Sequence, residues 1–128
     1  MTDTEKITIN MSGVDLGQID LLVDEGFYSN RSDFIRTAIR NQINQHSDAL
    51  KQSITRRTMA VGMLVYDSSD LEKYRARGEM MDIRLMGVLV LNNVSAELVR
   101  ATIKSISVKG VFRATDEVKA ALADRTVN

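Results

Sequence analysis

Three side chains near the start of the chain have the types and spacing for hydrogen-bonded recognition. In "KITIN", residues 6–10, Lys6, Thr8 and Asn10 alternate with Ile7 and Ile9. A period of two puts the cation, the hydroxyl and the carboxamide on one face of a strand and both isoleucines on the other. Such a face can bind. It has no partner with which to catalyse, because no Ser/His/Asp, Cys/His or paired-carboxylate arrangement can be assembled from the chain, and an enzyme is not expected. Alone, a polar strand face is more often just solvated; the elements that follow it decide the matter.

Composition narrows the choice. The chain has 128 residues, no cysteine and a single histidine, His46. Disulfides, thiolate metal sites and His-rich metal centres are therefore not expected, and no metal or cofactor is expected. The opening "MTDTEKITIN" has no apolar region of the kind a signal peptide carries. No apolar run approaches the roughly 18 residues that a membrane helix needs. A soluble cytoplasmic protein with no membrane partner is expected.

Seventeen basic residues balance seventeen acidic ones. The balance is uneven along the chain. Residues 1–46 hold four basic residues and seven acidic ones, a net −3, and the remainder carries +3. A basic surplus is the usual footprint of nucleic-acid binding. A reader of nucleic acid with this charge should make few phosphate contacts and show a shallow salt dependence.

After the short strand, "SGVDLGQIDLLVDEG" reads as an amphipathic helix. Ser12 is its N-cap, Gly26 its stop, and Val14, Leu16, Ile19, Leu22 and Val23 its apolar stripe. "FYSNRSDFIRTAIRNQINQH" then opens with a turn in which Ser29 or Asn30 caps a second helix. Phe34, Ile35, Ala38, Ile39 and Ile43 form the stripe of that helix, which could continue through "SDALKQS". Arg36 and Arg40 fall on its solvated side. A strand and two helices in under fifty residues bury too little surface to be stable alone. The lone strand also leaves its N–H and C=O groups unpaired. Both problems vanish if two chains each donate the strand to one antiparallel ribbon.

From residue 54 the texture changes. "MAVGMLVY", "IRLMGVLVL" and "ISVKGVFRA" read as strands, each followed by a helical segment. Gly62, Gly87 and Gly110 fall at similar places in the strands, and Ser69, Ser95 and Thr115 precede the helices as caps. The spacing suggests an internal repeat of about 24 residues. The first two strands are continuously apolar, as strands covered on both faces are; the third alternates like an edge. Strand–helix–strand crossovers favour a parallel sheet, with a ferredoxin-like or ACT-like order as the rival. "NQHSDALKQSITRR" is the expected boundary, part helix and part hinge, and Lys51, Arg56 and Arg57 read as its polar surface. Met59, Met63, Met80, Met81 and Met86 read as core or interface filler, and His46 as a solvated residue near a helix end.

The stretch "KITINMSGVDLGQIDLLVDEGFYSNRSDFIRTAIRNQI" resembles the ribbon-helix-helix family of DNA-binding proteins, the MetJ/Arc/CopG type. The resemblance covers about residues 6–45, the N-terminal third, and "GFYSNRSDFIRTAIR" is its most specific part. It implies an intertwined dimer whose two strands lie as one ribbon in the major groove. By position, Lys6, Thr8 and Asn10 match the family's base-contacting residues. Lys can donate to guanine O6/N7, Asn can pair with adenine through two hydrogen bonds, and Thr offers a hydroxyl and a methyl. "YSNRS" matches the family's phosphate anchor, which assigns Ser29, Asn30, Arg31 and Ser32 to the backbone at a helix N-terminus. The chain departs from the pattern in its acidic first helix. Its second half matches no assignable sensor domain, and nickel sensing is not expected without His and Cys ligands.

The expected protein is thus an α+β chain. A ribbon-helix-helix domain, residues 1–47, is expected to form an obligate homodimer, and a small α/β domain, residues 54–128, to assemble dimers into a tetramer or higher or to take a small-molecule or protein effector. Its expected partner is double-stranded DNA, and its expected function is sequence-specific transcriptional regulation as a repressor. Two other roles use the same N-terminal fold. One is an antitoxin that represses its own operon and holds a toxin through its C-terminal part; the other is a plasmid partition or relaxation accessory protein.

Overall fold

The computed structural model describes residues 4–127. Met1, Thr2, Asp3 and Asn128, which the expected domain limits include, lie outside the described residues. The chain divides into two compact units, Met1–Ala49 and Leu50–Asn128. Among the described residues, no helix is long and apolar enough to cross a membrane.

The first unit is built on α1 (Gly13–Asp24) and α2 (Arg31–Gln45). Ser12 caps α1, its hydroxyl accepting the Asp15 N–H at 3.1 Å. At the other end the Phe27 N–H reaches the Leu22 carbonyl and the Gly26 N–H reaches the Val23 carbonyl, both at 3.0 Å. That closure needs a left-handed residue, which Gly26 supplies at φ +87°. α2 stops at Gln45 instead of running on; His46 interrupts it and α3 (Ser47–Arg57) follows.

This unit has almost no interior. Among its described residues Ile19 alone is buried, and α2 buries none. Val14 is 73% exposed and Leu21 60%. The apolar stripes exist as the sequence spacing requires, but one chain does not supply the surface that would cover them.

The second unit contains β1 (Ala60–Tyr66), α4 (Ser68–Ala76), β2 (Met81–Leu91), α5 (Ala96–Thr102), β3 (Ile103–Arg113) and α6 (Asp116–Ala121), ending in a 3-10 turn at Ala123–Arg125. The strands form one parallel sheet in the order β1-β2-β3. That is the repeated strand–helix arrangement, not the ferredoxin-like or ACT-like order. Leu71 of α4, Leu98 and Val99 of α5, Val118 of α6 and Leu122 just after it form one buried cluster with alternate residues of β2, namely Ile83, Leu85, Leu89 and Leu91, and with Ile103 and Ile106 of β3. Arg125 closes the end of the unit, donating to the Arg100 carbonyl at 2.5 Å and the Ile103 carbonyl at 2.7 Å.

Two expectations need correction here. The first two strands are not covered on both faces. All three helices lie on one side of the sheet, and β1 is an edge strand whose Val61, Met63 and Val65 are 64%, 53% and 50% exposed. Of the five methionines, Met81 packs half-buried against the core, Met59 and Met86 are half-buried, and Met63 and Met80 are exposed. The cap of α4 is also displaced by two residues. Asp67, not Ser69, accepts the Asp70 N–H at 3.0 Å, while the Asp70 carboxylate takes the Asp67 N–H at 2.9 Å. A carboxylate at each end of this reciprocal pair satisfies two orphan donors at once, which one serine hydroxyl could not. Ser95 and Thr115 cap α5 and α6 as expected.

Gly62, Gly87 and Gly110 sit directly beside one another in the three strands. Their φ angles are +134°, +144° and +128°. A Cβ on Gly87 would lie 1.8 Å from the Gly62 carbonyl oxygen, and one on Gly110 would lie 2.1 Å from that of Gly87. Glycine is required in β2 and β3 because the neighbouring backbone occupies the space of a side chain.

A candidate nucleic-acid interface in the first unit

Residues 4–11 are exposed throughout and form no strand ladder within the chain. A strand is defined by its partner, and the described chain supplies none to this segment. Ile7 is 72% exposed and Ile9 61%, so the apolar side of the alternation is as open as the side bearing Lys6, Thr8 and Asn10. Glu5, Lys6, Ile7 and Ile9 share one shallow surface depression with Ser32, Ile35, Arg36 and Ile39. The segment therefore lies along the first half of α2, with isoleucines on both sides of the depression.

The turn before α2 is tightly organised. Asn30 is the N-cap, its carboxamide oxygen accepting the Asp33 N–H at 2.8 Å. The Asp33 carboxylate reaches back to the Ser29 N–H at 3.0 Å. Tyr28 and Phe34 brace the turn edge to face, with centroids 5.0 Å apart. Ser29 and Ser32 are exposed, and the leading N–H groups of a helix have no partner within it. The positive end of the helix dipole meets an acceptor here. Part of that role is already taken by Asp33 from within the chain.

Arg31 does not project freely from this turn. Its guanidinium grips Asp20 of α1 through two hydrogen bonds of 2.8 Å. The bond to Arg31 holds the Asp20 carboxyl below its ordinary value and Arg31 correspondingly above. The structure thus brings Ser29, Asn30, Arg31 and Ser32 together at one helix start, and turns Arg31 toward α1. Sequence reasoning missed both acidic partners. Asn30 and Asp33 stand at the spacing of a capping box and could have been read as one; nothing in the sequence marks Asp20 among the acidic residues of α1. Arg36 and Arg40 are exposed, as are Lys51, Arg56, Arg57 and His46.

A capped helix pair preceded by an exposed segment of alternating polar and apolar residues fits the order of a ribbon-helix-helix arrangement. The sequence pattern of the Ribbon-Helix-Helix transcriptional regulator family matches residues 2–119, and the chain belongs to that family. The match reaches into α6, so the N-terminal third named from the resemblance was too narrow. Over 44 residues the chain is 32% identical to the transcriptional regulator CdrS of Halobacterium salinarum, covering 34% of this chain and 80% of that protein. No solved structure matches the chain. The family is one of transcriptional regulators.

Proposed function

We propose that the chain is a sequence-specific repressor that acts in the cytoplasm as an intertwined homodimer, with residues 1–47 as the reading domain. The observation that carries this is the open segment 4–11 beside a helix pair with a single buried residue. A second chain placed against it supplies the missing strand and covers Ile7, Ile9 and the stripe of α2. Pairing two such segments presents two sets of Lys6, Thr8 and Asn10 to a major groove, where Asn and Lys discriminate adenine and guanine. Ser29, Asn30 and Ser32 position the backbone of the duplex through the start of α2, while Arg31 stiffens the turn through Asp20.

Residues 54–128 form the second domain in this reading and join dimers into tetramers or take an effector. Its own buried core, from Leu71 to Leu122, favours a domain folded in advance over a tail that orders on a toxin. The antitoxin reading therefore stands second.

The experiment is selection of bound sequences from a random DNA pool by the wild type, Thr8→Ala and Asn10→Ala. The wild type should select a short palindrome. Loss of Asn10 should relax one position per half-site, with a cost of about 1–3 kcal/mol at that base pair. Unchanged selection by both variants, in dimers that still fold, would remove the ribbon from the mechanism.

A further inference from the structure

We infer that β1 is a pairing edge for the β1 of a second copy of this chain, which joins two C-terminal sheets into one six-stranded sheet. Within its unit β1 pairs with β2 alone. Its seven residues, Ala60–Tyr66, carry no charge. Natural edge strands are ordinarily blunted by charged side chains, proline or a covering element. The other edge of this sheet is blunted in that way. β3 carries Lys104, Lys109 and Arg113, and the chain's own end lies along it, with Thr126 bridged to Ile106 and the Val127 N–H on the Ile106 carbonyl at 2.8 Å.

Gly62 makes the same point from the backbone. Beside Gly87 and Gly110, the space of the absent side chain is filled by the carbonyl of the preceding strand, at 1.8 and 2.1 Å from an ideal Cβ. Gly62 has the same left-handed φ, +134°, yet nothing lies within 4 Å of that position. By its register with the other two, the slot opens away from β2, at the free edge. The space is open there, with room for a backbone carbonyl of an incoming strand.

A second β1 suits that edge better than a second β3. Two uncharged strands meet without repulsion, whereas β3 brings lysines and an edge partly taken by residues 126 and 127. Self-pairing is also isologous and closes at two copies, while joining β1 to β3 would propagate without limit. The pairing would run antiparallel and continue the open sheet face, bringing together two sets of the exposed Val61, Met63 and Val65. With Met63 at the middle of the strand, the two-fold axis would pass beside it.

This inference stands apart from DNA reading, and its test needs no DNA. The chain has no cysteine, so single cysteines report cleanly. Opposed residues of an antiparallel pair have Cα atoms about 4.5–5.5 Å apart, within the span of roughly 4.4–6.8 Å that a disulfide bridges. Full-length Met63→Cys should convert to a covalent dimer under mild oxidation, while Val111→Cys, on the same open face but on β3, should not. In the unmodified protein, the β1 amides should exchange with deuterium about as slowly as those of β2. No cross-link at Met63→Cys, equal cross-linking at both positions, or rapid exchange along β1 would each overturn the pairing.

Discussion

Arg31 and Asp20 are joined Nε to Oδ1 and Nη2 to Oδ2, each at 2.8 Å. A planar guanidinium matched to both oxygens of a carboxylate fixes direction as well as distance. The pair ties α1 to the first turn of α2. It also takes the cation nearest the proposed phosphate anchor out of direct contact with a phosphate. In an already acidic unit, that is one reason to expect a shallow dependence of DNA affinity on salt.

Asp20→Asn should release Arg31. The slope of log affinity against log salt should then steepen by about 0.9, the value for one added phosphate contact. Titration of binding at several salt concentrations reads this directly. An unchanged slope would mean that Arg31 stays out of the interface even when free.

The same pair sets a pH response. Because the folded Asp20 carboxyl titrates below its ordinary value of 3.8, its stabilising contribution is fully present above that value. It is lost as pH falls through the lowered one. Denaturant unfolding of the wild type and Asp20→Asn should therefore differ at neutral pH and converge in acid below the ordinary carboxylate range.

Asn30→Ala removes the acceptor for the Asp33 N–H and should cost about 1 kcal/mol of stability. Asn30→Asp keeps an acceptor and should restore most of that loss. It also places a second negative charge at the proposed anchor, so its DNA affinity should fall although its stability does not. The two variants separate capping from phosphate binding when melting and binding are measured side by side.

Two glycines should respond in opposite directions. Gly17 lies in α1 with nothing within 4 Å of an added Cβ, so Gly17→Ala should stabilise by about 0.5–1 kcal/mol. Gly87→Ala sets a methyl 1.8 Å from the Gly62 carbonyl oxygen. It should prevent the sheet from forming at that row, seen as loss of cooperative melting of the second unit. A destabilised Gly17→Ala would reveal a neighbouring chain packed on that face of α1.

Much of this architecture is legible because local rules fix it. Ser12, Ser95 and Thr115 cap where an oxygen side chain precedes an apolar period, and Gly26 ends α1 where only a left-handed residue closes the helix. The recurrence of Gly62, Gly87 and Gly110 announced a repeat, though not that the three would stand in one row. What could not be read was global. Apolar runs in β1 and β2 look the same whether helices cover one face or both. The pairing of Arg31 with Asp20 depends on the angle between two helices. Asp67 displaced Ser69 as the cap because a reciprocal pair with Asp70 outcompetes a lone hydroxyl. The alternation of Lys6, Thr8 and Asn10 with Ile7 and Ile9 was visible at once, but the described residues hold no partner strand for it.

The near-absence of an interior in the first unit has a regulatory consequence. Where the proposed homodimer is what covers this helix pair around Ile19, the assembled form depends on how many chains are present. At low abundance its amount varies with the square of chain number, and halving expression leaves roughly a quarter of the assembled species. A control element built this way responds to its own supply with a threshold, without any bound signal.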